Sequence, residues 1–152
     1  MVEVFGECSR LLEAGARPVV AAHISGCKVR DAILLYHDRF GRAPPRGMLP
    51  CSSEYFLSPQ VRHAAATLFA VLHAQSSLLS PSERRGSVML AAWRVFQIRR
   101  GDELLDFNRV WMLTRFVASG ELVIRKCDTC EAPFLARRYD LLLASGCARC
   151  ER

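Results

Sequence analysis

Four cysteines near the C-terminus constrain this chain more than any other feature: Cys127 and Cys130, followed after sixteen residues by Cys147 and Cys150. Each CxxC pair lets a tight turn aim two thiolates at one metal, and the intervening segment is long enough to double back and complete a tetrahedron. Four sulfurs leave no open coordination position, whereas a catalytic zinc keeps one free for water or substrate. The array therefore predicts one structural zinc ion per chain, held by Cys127, Cys130, Cys147 and Cys150.

The competing uses of such cysteines fit less well. Disulfides need an oxidising compartment, and the start, MVEVFGECSRLLEAG, has neither the basic opening nor the uninterrupted apolar stretch of a secretory signal. The expected location is cytoplasmic. A thioredoxin-type CxxC belongs near a βαβ pattern and needs no second matched pair. A zinc deaminase needs an H-x-E element, and none of His23, His37, His63 or His73 is followed by Glu two residues later.

At 152 residues the chain is long enough for one domain with a real core, with or without a small appendage. The longest apolar stretch, Ala64 to Leu72, is interrupted only by Thr67 and falls well short of the roughly 20 residues a membrane span requires. No transmembrane segment is expected. The net charge of +6 comes from an Arg-rich cation set, with eight Arg against four acids between residues 61 and 120. That balance is compatible with a nucleic-acid partner and equally with a solvated basic surface.

Along the chain, Glu7 to Gly15 reads as a short helix. Pro18 suits the first turn of a second helix through Ile24, because its missing N–H is not needed there. Ser25-Gly26-Cys27 interrupts it, and a third helical pattern begins at Lys28, with Val29, Ala32, Ile33, Tyr36 and Phe40 at three- and four-residue steps until Gly41. Two helices joined by a short Gly-containing turn form a helix-turn-helix arrangement, whose second helix can enter the major groove. Ala22 suits the close crossing, Gly26 the left-handed turn, and Ala32 with Leu35 the inward face. Lys28, Arg30, Asp31, Leu34 and His37 then fall on or near the outer face, with Lys28 and Arg30 at the helix start, where base and phosphate contacts are usual. A helical hairpin with no nucleic-acid role has the same spacing.

Gly41 to Gln60 contains four prolines and two glycines that forbid continuous helix. Met48, Leu49, Tyr55, Phe56 and Leu57 make it too apolar for a tether, so it should lie over a helical core or meet a partner chain. Val61 to Leu79 reads as a buried helix, on which His63 and His73 are satisfied core or surface histidines. Ser80-Pro81-Ser82-Glu83 has the form of a capping box opening a helix through Trp93 and Phe96, and the charges from Arg99 to Glu103 suggest a loop. A further helix over Asn108 to Ser119 stops at Gly120. A short strand, Leu122 to Ile124, leads to the first cysteine pair. Between the pairs lie Phe134, Leu135, Tyr139 and Leu141 to Leu143, which can cover the metal, and the basic pair Arg137-Arg138.

Several local strings, in order, give the chain a resemblance to a known family: LLYHDRFGRAPPRGMLP at Leu34 to Pro50, the following SSEYF, LTRFVASGEL at Leu113 to Leu122, and the terminal CDTC and CARC. Together they resemble FlhC, the C subunit of the bacterial flagellar transcriptional master regulator. The resemblance implies a DNA-binding subunit that acts with the D subunit, FlhD, in a hetero-hexamer of two C and four D subunits, at promoters of flagellar and some other operons. The family's zinc ligands fall on Cys127, Cys130, Cys147 and Cys150. Typical members carry a longer polar tail after the last cysteine than the two residues that follow Cys150 here, which implies weaker phosphate contact.

The expected fold is mainly α, with a helical DNA- and partner-binding part over residues 1–120 and a zinc ribbon-like module over 121–152. Lys28, Arg30, Arg137 and Arg138 are the candidate DNA contacts. A zinc-stabilised adaptor that binds protein and not DNA is the rival reading. An enzyme is not expected, since no His or carboxylate cluster offers an open metal site or a paired acid and base, and with it goes any small-molecule substrate.

Overall fold

The computed structural model describes residues 1–68, 85–100, 105–140, 147 and 150, with the backbone alone at 85, 99 and 100. The expected helix beyond residue 68 with His73, the capping box at Ser80 to Glu83, residues 101–104 of the expected loop, and Leu141 to Leu143 lie outside the described residues.

Helix α1 spans Val2–Glu13 and begins five residues before the position the sequence suggested. The half-buried Val4 and Phe5 extend the stripe of Cys8, Leu11 and Leu12 back by a turn, so burial carries the helix past the point where local signals are weak. Helix α2 (Pro18–Ser25) has Pro18 in its first turn and ends on Gly26 at φ 78°. Helix α3 (Val29–Phe40) has Lys28 as its extended N-cap and ends on Gly41 at φ 63°. Both stops use the left-handed conformation that glycine adopts without a Cβ penalty.

Within the Pro- and Gly-rich segment only one turn of helix forms, α4 (Glu54–Leu57). Its Phe56 is fully buried and meets Phe116 edge-on at 6.0 Å, so the segment does lie over the core, although Met48 stays exposed. Residues 62–68 form the described part of α5, with Ala64, Ala65, Ala66 and Leu68 buried. Helix α6 (Arg85–Arg100) carries Phe96 inward and runs through Arg99 and Arg100, where the sequence suggested a loop. At Gly86 a Cβ would lie 2.6 Å from Glu7 Oε1 and 2.9 Å from Ile24 Cγ2, so the absent side chain is what lets α6 approach α1 and α2.

Helix α7 (Phe107–Ala118) is capped by Asp106, whose carboxylate accepts the Arg109 N–H at 2.9 Å. The Asn108 side chain fastens its start to the α1–α2 turn, accepting the Arg17 N–H at 2.8 Å and donating to the Gly15 carbonyl at 3.0 Å.

After Gly120 the chain forms an antiparallel hairpin of β1 (Leu122–Lys126) and β2 (Pro133–Arg137), in register from Leu122↔Arg137 to Lys126↔Pro133. Strand β1 is longer than expected, and β2 was not expected. Phe134, Leu135 and Ala136 are all buried, so β2 lacks the alternation that marks a strand with one wet face. One hairpin face, with Leu122, Ile124 and Leu135, joins the helical core. The other, with Val123, Phe134 and Ala136, packs on Cys127 and Cys147.

Candidate metal centre and nucleic-acid interface

The hairpin turn presents the first cysteine pair. The Cys127 N–H donates to the Ala132 carbonyl at 3.1 Å, and the Glu131 N–H donates to the Cys127 carbonyl at 2.8 Å, with Glu131 at φ 56° to close the turn. The second pair forms a similar tight turn, in which the Cys150 N–H donates to the Cys147 carbonyl at 2.9 Å. The four Sγ atoms of Cys127, Cys130, Cys147 and Cys150 all lie within 4.8 Å of one another.

That spacing tests whether a metal fits. Zn–S bonds of about 2.3 Å arranged tetrahedrally place the sulfurs about 3.8 Å apart. The observed separations are 3.9 Å for Cys127–Cys150, 3.5 Å for Cys130–Cys147 and 3.8 Å for Cys147–Cys150. The thiols therefore surround a volume sized for one metal ion and are too far apart to be disulfides. Cys127 and Cys147 are buried, Cys130 and Cys150 exposed, so the cluster has an inner and an outer edge. Hydrogen bonds from the backbone N–H groups of Cys130 and Thr129 lower the Cys127 thiol to about 6. Cys150, bonded through its thiol to Cys130 and then disfavoured by burial, is pushed up to about 12. A metal would replace these shared protons and require all four thiolates.

Two residues of α5 anchor this hairpin. Arg62 donates from Nε to the Leu135 carbonyl at 3.1 Å and sits over the Phe134 ring at 5.3 Å. His63 Nδ1 lies 3.0 Å from the Pro133 carbonyl, which fixes it as the protonated ring nitrogen. His63 is thus a buried histidine that fastens the hairpin through Nδ1. Its signal in the sequence, with that of Arg62, is polarity at the start of an otherwise apolar helix.

Elsewhere in the molecule, α2 and α3 pack together in the helix-turn-helix arrangement. Ala22 and Ala32 are buried at the crossing, Gly26 makes the turn, and Lys28 and Arg30 are exposed at the start of α3. Val29, Ile33 and Leu34 are exposed beside them, at 45%, 37% and 58%, so this outer face is apolar as well as basic. The second basic pair is placed differently. Arg137 forms an ion pair with Glu54 of α4, and the neighbouring Ser53 hydroxyl donates to Glu121 at the start of the hairpin. Arg138 lies against the chain at Gly120, where a Cβ would come within 2.8 Å of its guanidinium. Tyr139, adjacent, is 84% exposed and shares a shallow depression with both arginines, Glu121 and Asp140. Lys28 and Arg30 are thus not brought together with Arg137 and Arg138 by any contact among the described residues.

A mainly helical body, a helix-turn-helix pair and a hairpin ending in four convergent thiols define the class: a helical protein with a four-cysteine cluster that could hold a metal ion. Residues 4–152 match the family described as "Flagellar transcriptional activator (FlhC)", and the chain belongs to that family. It is similar to the flagellar transcriptional regulator FlhC of Cupriavidus metallidurans, with 33% identity over 98% of this chain and 71% of the relative. The protein of the same name from Cupriavidus pinatubonensis is 31% identical over 93% of this chain and 68% of its own length. That of Yersinia enterocolitica is 29% identical over 78% and 63%. The chain is accordingly a transcription regulator of flagellar genes. Among the described residues no helix is long and apolar enough to cross a membrane.

Proposed function

We propose that this protein is a cytoplasmic, non-enzymatic, DNA-binding activator subunit that works with FlhD at promoters of flagellar and some other operons, in an assembly of two C and four D subunits. The observation that carries the reading is the exposed basic start of α3, Lys28 and Arg30, on a helix that follows the Gly26 turn and packs on α2, with Ala22 and Ala32 buried. Lys28 and Arg30 supply phosphate or base contacts there, and Arg137 and Arg138 supply further phosphate contacts from the hairpin. One zinc ion, held by Cys127, Cys130, Cys147 and Cys150, stabilises residues 121–152 as a module beside the helical part over 1–120.

A second reading is favoured by one observation: Val29, Ile33 and Leu34 put apolar surface on the same outer face of α3. That composition suits a protein partner, and would make the chain an adaptor that leaves DNA to FlhD. The discriminating experiment measures binding to a flagellar promoter fragment with and without FlhD, at two salt concentrations, for the parent chain and the double variant Lys28→Glu, Arg30→Glu. DNA binding that needs FlhD, weakens with salt and loses about one unit of salt slope per removed contact supports the activator reading. A double variant that fails to join FlhD supports the adaptor.

A further inference from the structure

Three cysteines lie outside the four-thiol site, and two of them meet. Cys8 and Cys27 are 19 residues apart in sequence, yet their Sγ atoms are 3.3 Å apart and both are free thiols. Cys8 lies on the buried stripe of α1 with no exposed surface. Cys27 occupies the turn between Gly26 and Lys28 and is half-buried. The turn is held in place, since the Ser25 hydroxyl donates to the Ala21 carbonyl at 2.7 Å and accepts the Cys27 N–H at 3.4 Å. The pair is therefore asymmetric: one residue is partly exposed and the other fully buried.

We propose that Cys8 and Cys27 are a redox modification site, forming a reversible disulfide that fastens α1 to the helix-turn-helix turn when the protein meets a hydroperoxide. The half-buried Cys27 sulfur attacks the peroxide O–O bond, becoming a sulfenic acid and releasing water or an alcohol. The Cys8 sulfur then attacks the sulfenic sulfur, the S–O bond breaks, and water leaves with the Cys8 proton. Two thiols are oxidised, and one peroxide is reduced. A disulfide needs about 2.05 Å between sulfurs, so the present separation must close by rather more than 1 Å, within reach of side-chain rotation on helices already in place. Burial, then the hydrogen bond to Cys27 and its charge, push the Cys8 thiol up to about 12. Cys8 is thus the slow partner, and oxidation of Cys27 removes the hydrogen bond and the charge that Cys27 sets against it, leaving burial and the Glu7 charge. The link ends one residue before Lys28, so its effect on DNA rests on the reading given above, whereas its formation does not.

The zinc-loaded full chain is treated with a few equivalents of hydrogen peroxide, denatured, alkylated, digested with trypsin without reductant and mapped by mass spectrometry. Trypsin spares Arg17 before Pro18, so the diagnostic product is residues 1–10 joined to residues 11–28. The expected result is that joined pair, released by reductant, with an upward shift in the thermal midpoint of the oxidised protein. In Cys8→Ser the pair and the shift both vanish, and Cys27 proceeds to sulfinic acid. Recovery of Cys8 alkylated in the parent chain, with Cys27 over-oxidised or joined to the exposed Cys51, overturns the proposal.

Discussion

Around Leu11, Phe56 and Leu113 the helical body buries whole side chains drawn from several helices, while at the far end of the hairpin the buried set among the described residues is Cys127, Phe134, Ala136 and Cys147. Each large apolar side chain in the first region contributes roughly 1.5–3 kcal/mol on burial. Among the described residues that second set is four, two of them thiols, and their burial is small beside the cost of ordering the turn, at about 1–2 kcal/mol of backbone entropy per residue. A metal ion held by the four thiols would offset that cost, since a structural zinc supplies on the order of 10 kcal/mol to a peptide too small to fold without it. The hairpin contributes to both sets, with Leu122 and Leu135 in the helical one and Phe134 and Ala136 in the one beside the thiols.

Removing the metal is the largest perturbation available to that comparison. A strong chelator, or Cys127→Ser, should abolish amide protection in the turn between Lys126 and Pro133 while α1 to α3 keep theirs. Protection should grade along the strands, because Arg62 still holds the Leu135 carbonyl and Leu122 still lies in the helical core. Hydrogen exchange followed residue by residue reads this directly. Loss of protection in α1 to α3 at the same chelator concentration would make the two cores one cooperative unit.

The converse perturbation is Phe56→Ala. This fully buried ring packs on Phe116 and belongs to the helical core, so its loss should cost about 3–5 kcal/mol in urea unfolding. Folded Phe56→Ala protein should still bind metal stoichiometrically in a colorimetric assay, because among the described residues Phe56 belongs to the helical cluster and Cys127 and Cys147 to the other. Reduced metal content in the folded variant would show coupling through α4 and the hairpin, which meet at Ser53–Glu121 and Glu54–Arg137.

What the sequence made legible follows from the same division. Pro18, Gly26, Gly41 and Gly120 punctuate the chain with backbone chemistry that tertiary contacts do not override, and α2, α3 and α7 begin or end where those residues say. The four cysteines were legible because ligand spacing is a local property of two turns. By contrast α1 was read short and β2 was missed, since Val4, Phe5 and the run Phe134–Ala136 acquire their conformation from what covers them. The meeting of Cys8 with Cys27, the hold of Arg62 and His63 on the hairpin, and the ion pair of Arg137 with Glu54 are likewise long-range, and no periodicity announces them.

That last ion pair separates the two basic sites. Lys28 and Arg30 stand at an exposed helix start, whereas Arg137 is engaged with Glu54 across a surface where both side chains are about half exposed or more. An exposed pair of this kind is worth at most about 1 kcal/mol, so Arg137→Gln should shift the urea midpoint only slightly. Its effect on promoter affinity should also be smaller than that of Lys28→Gln, because Arg137 must release Glu54 before it can neutralise a phosphate, and that release cancels part of the gain. Adding Glu54→Gln sharpens the test: it frees Arg137, removes a nearby negative charge, and should tighten promoter binding by a factor that shrinks as salt rises. Unchanged affinity in Glu54→Gln, with Lys28→Gln clearly weaker, would assign the DNA contact to the start of α3 and leave Arg137 the role of fastening α4 to the hairpin.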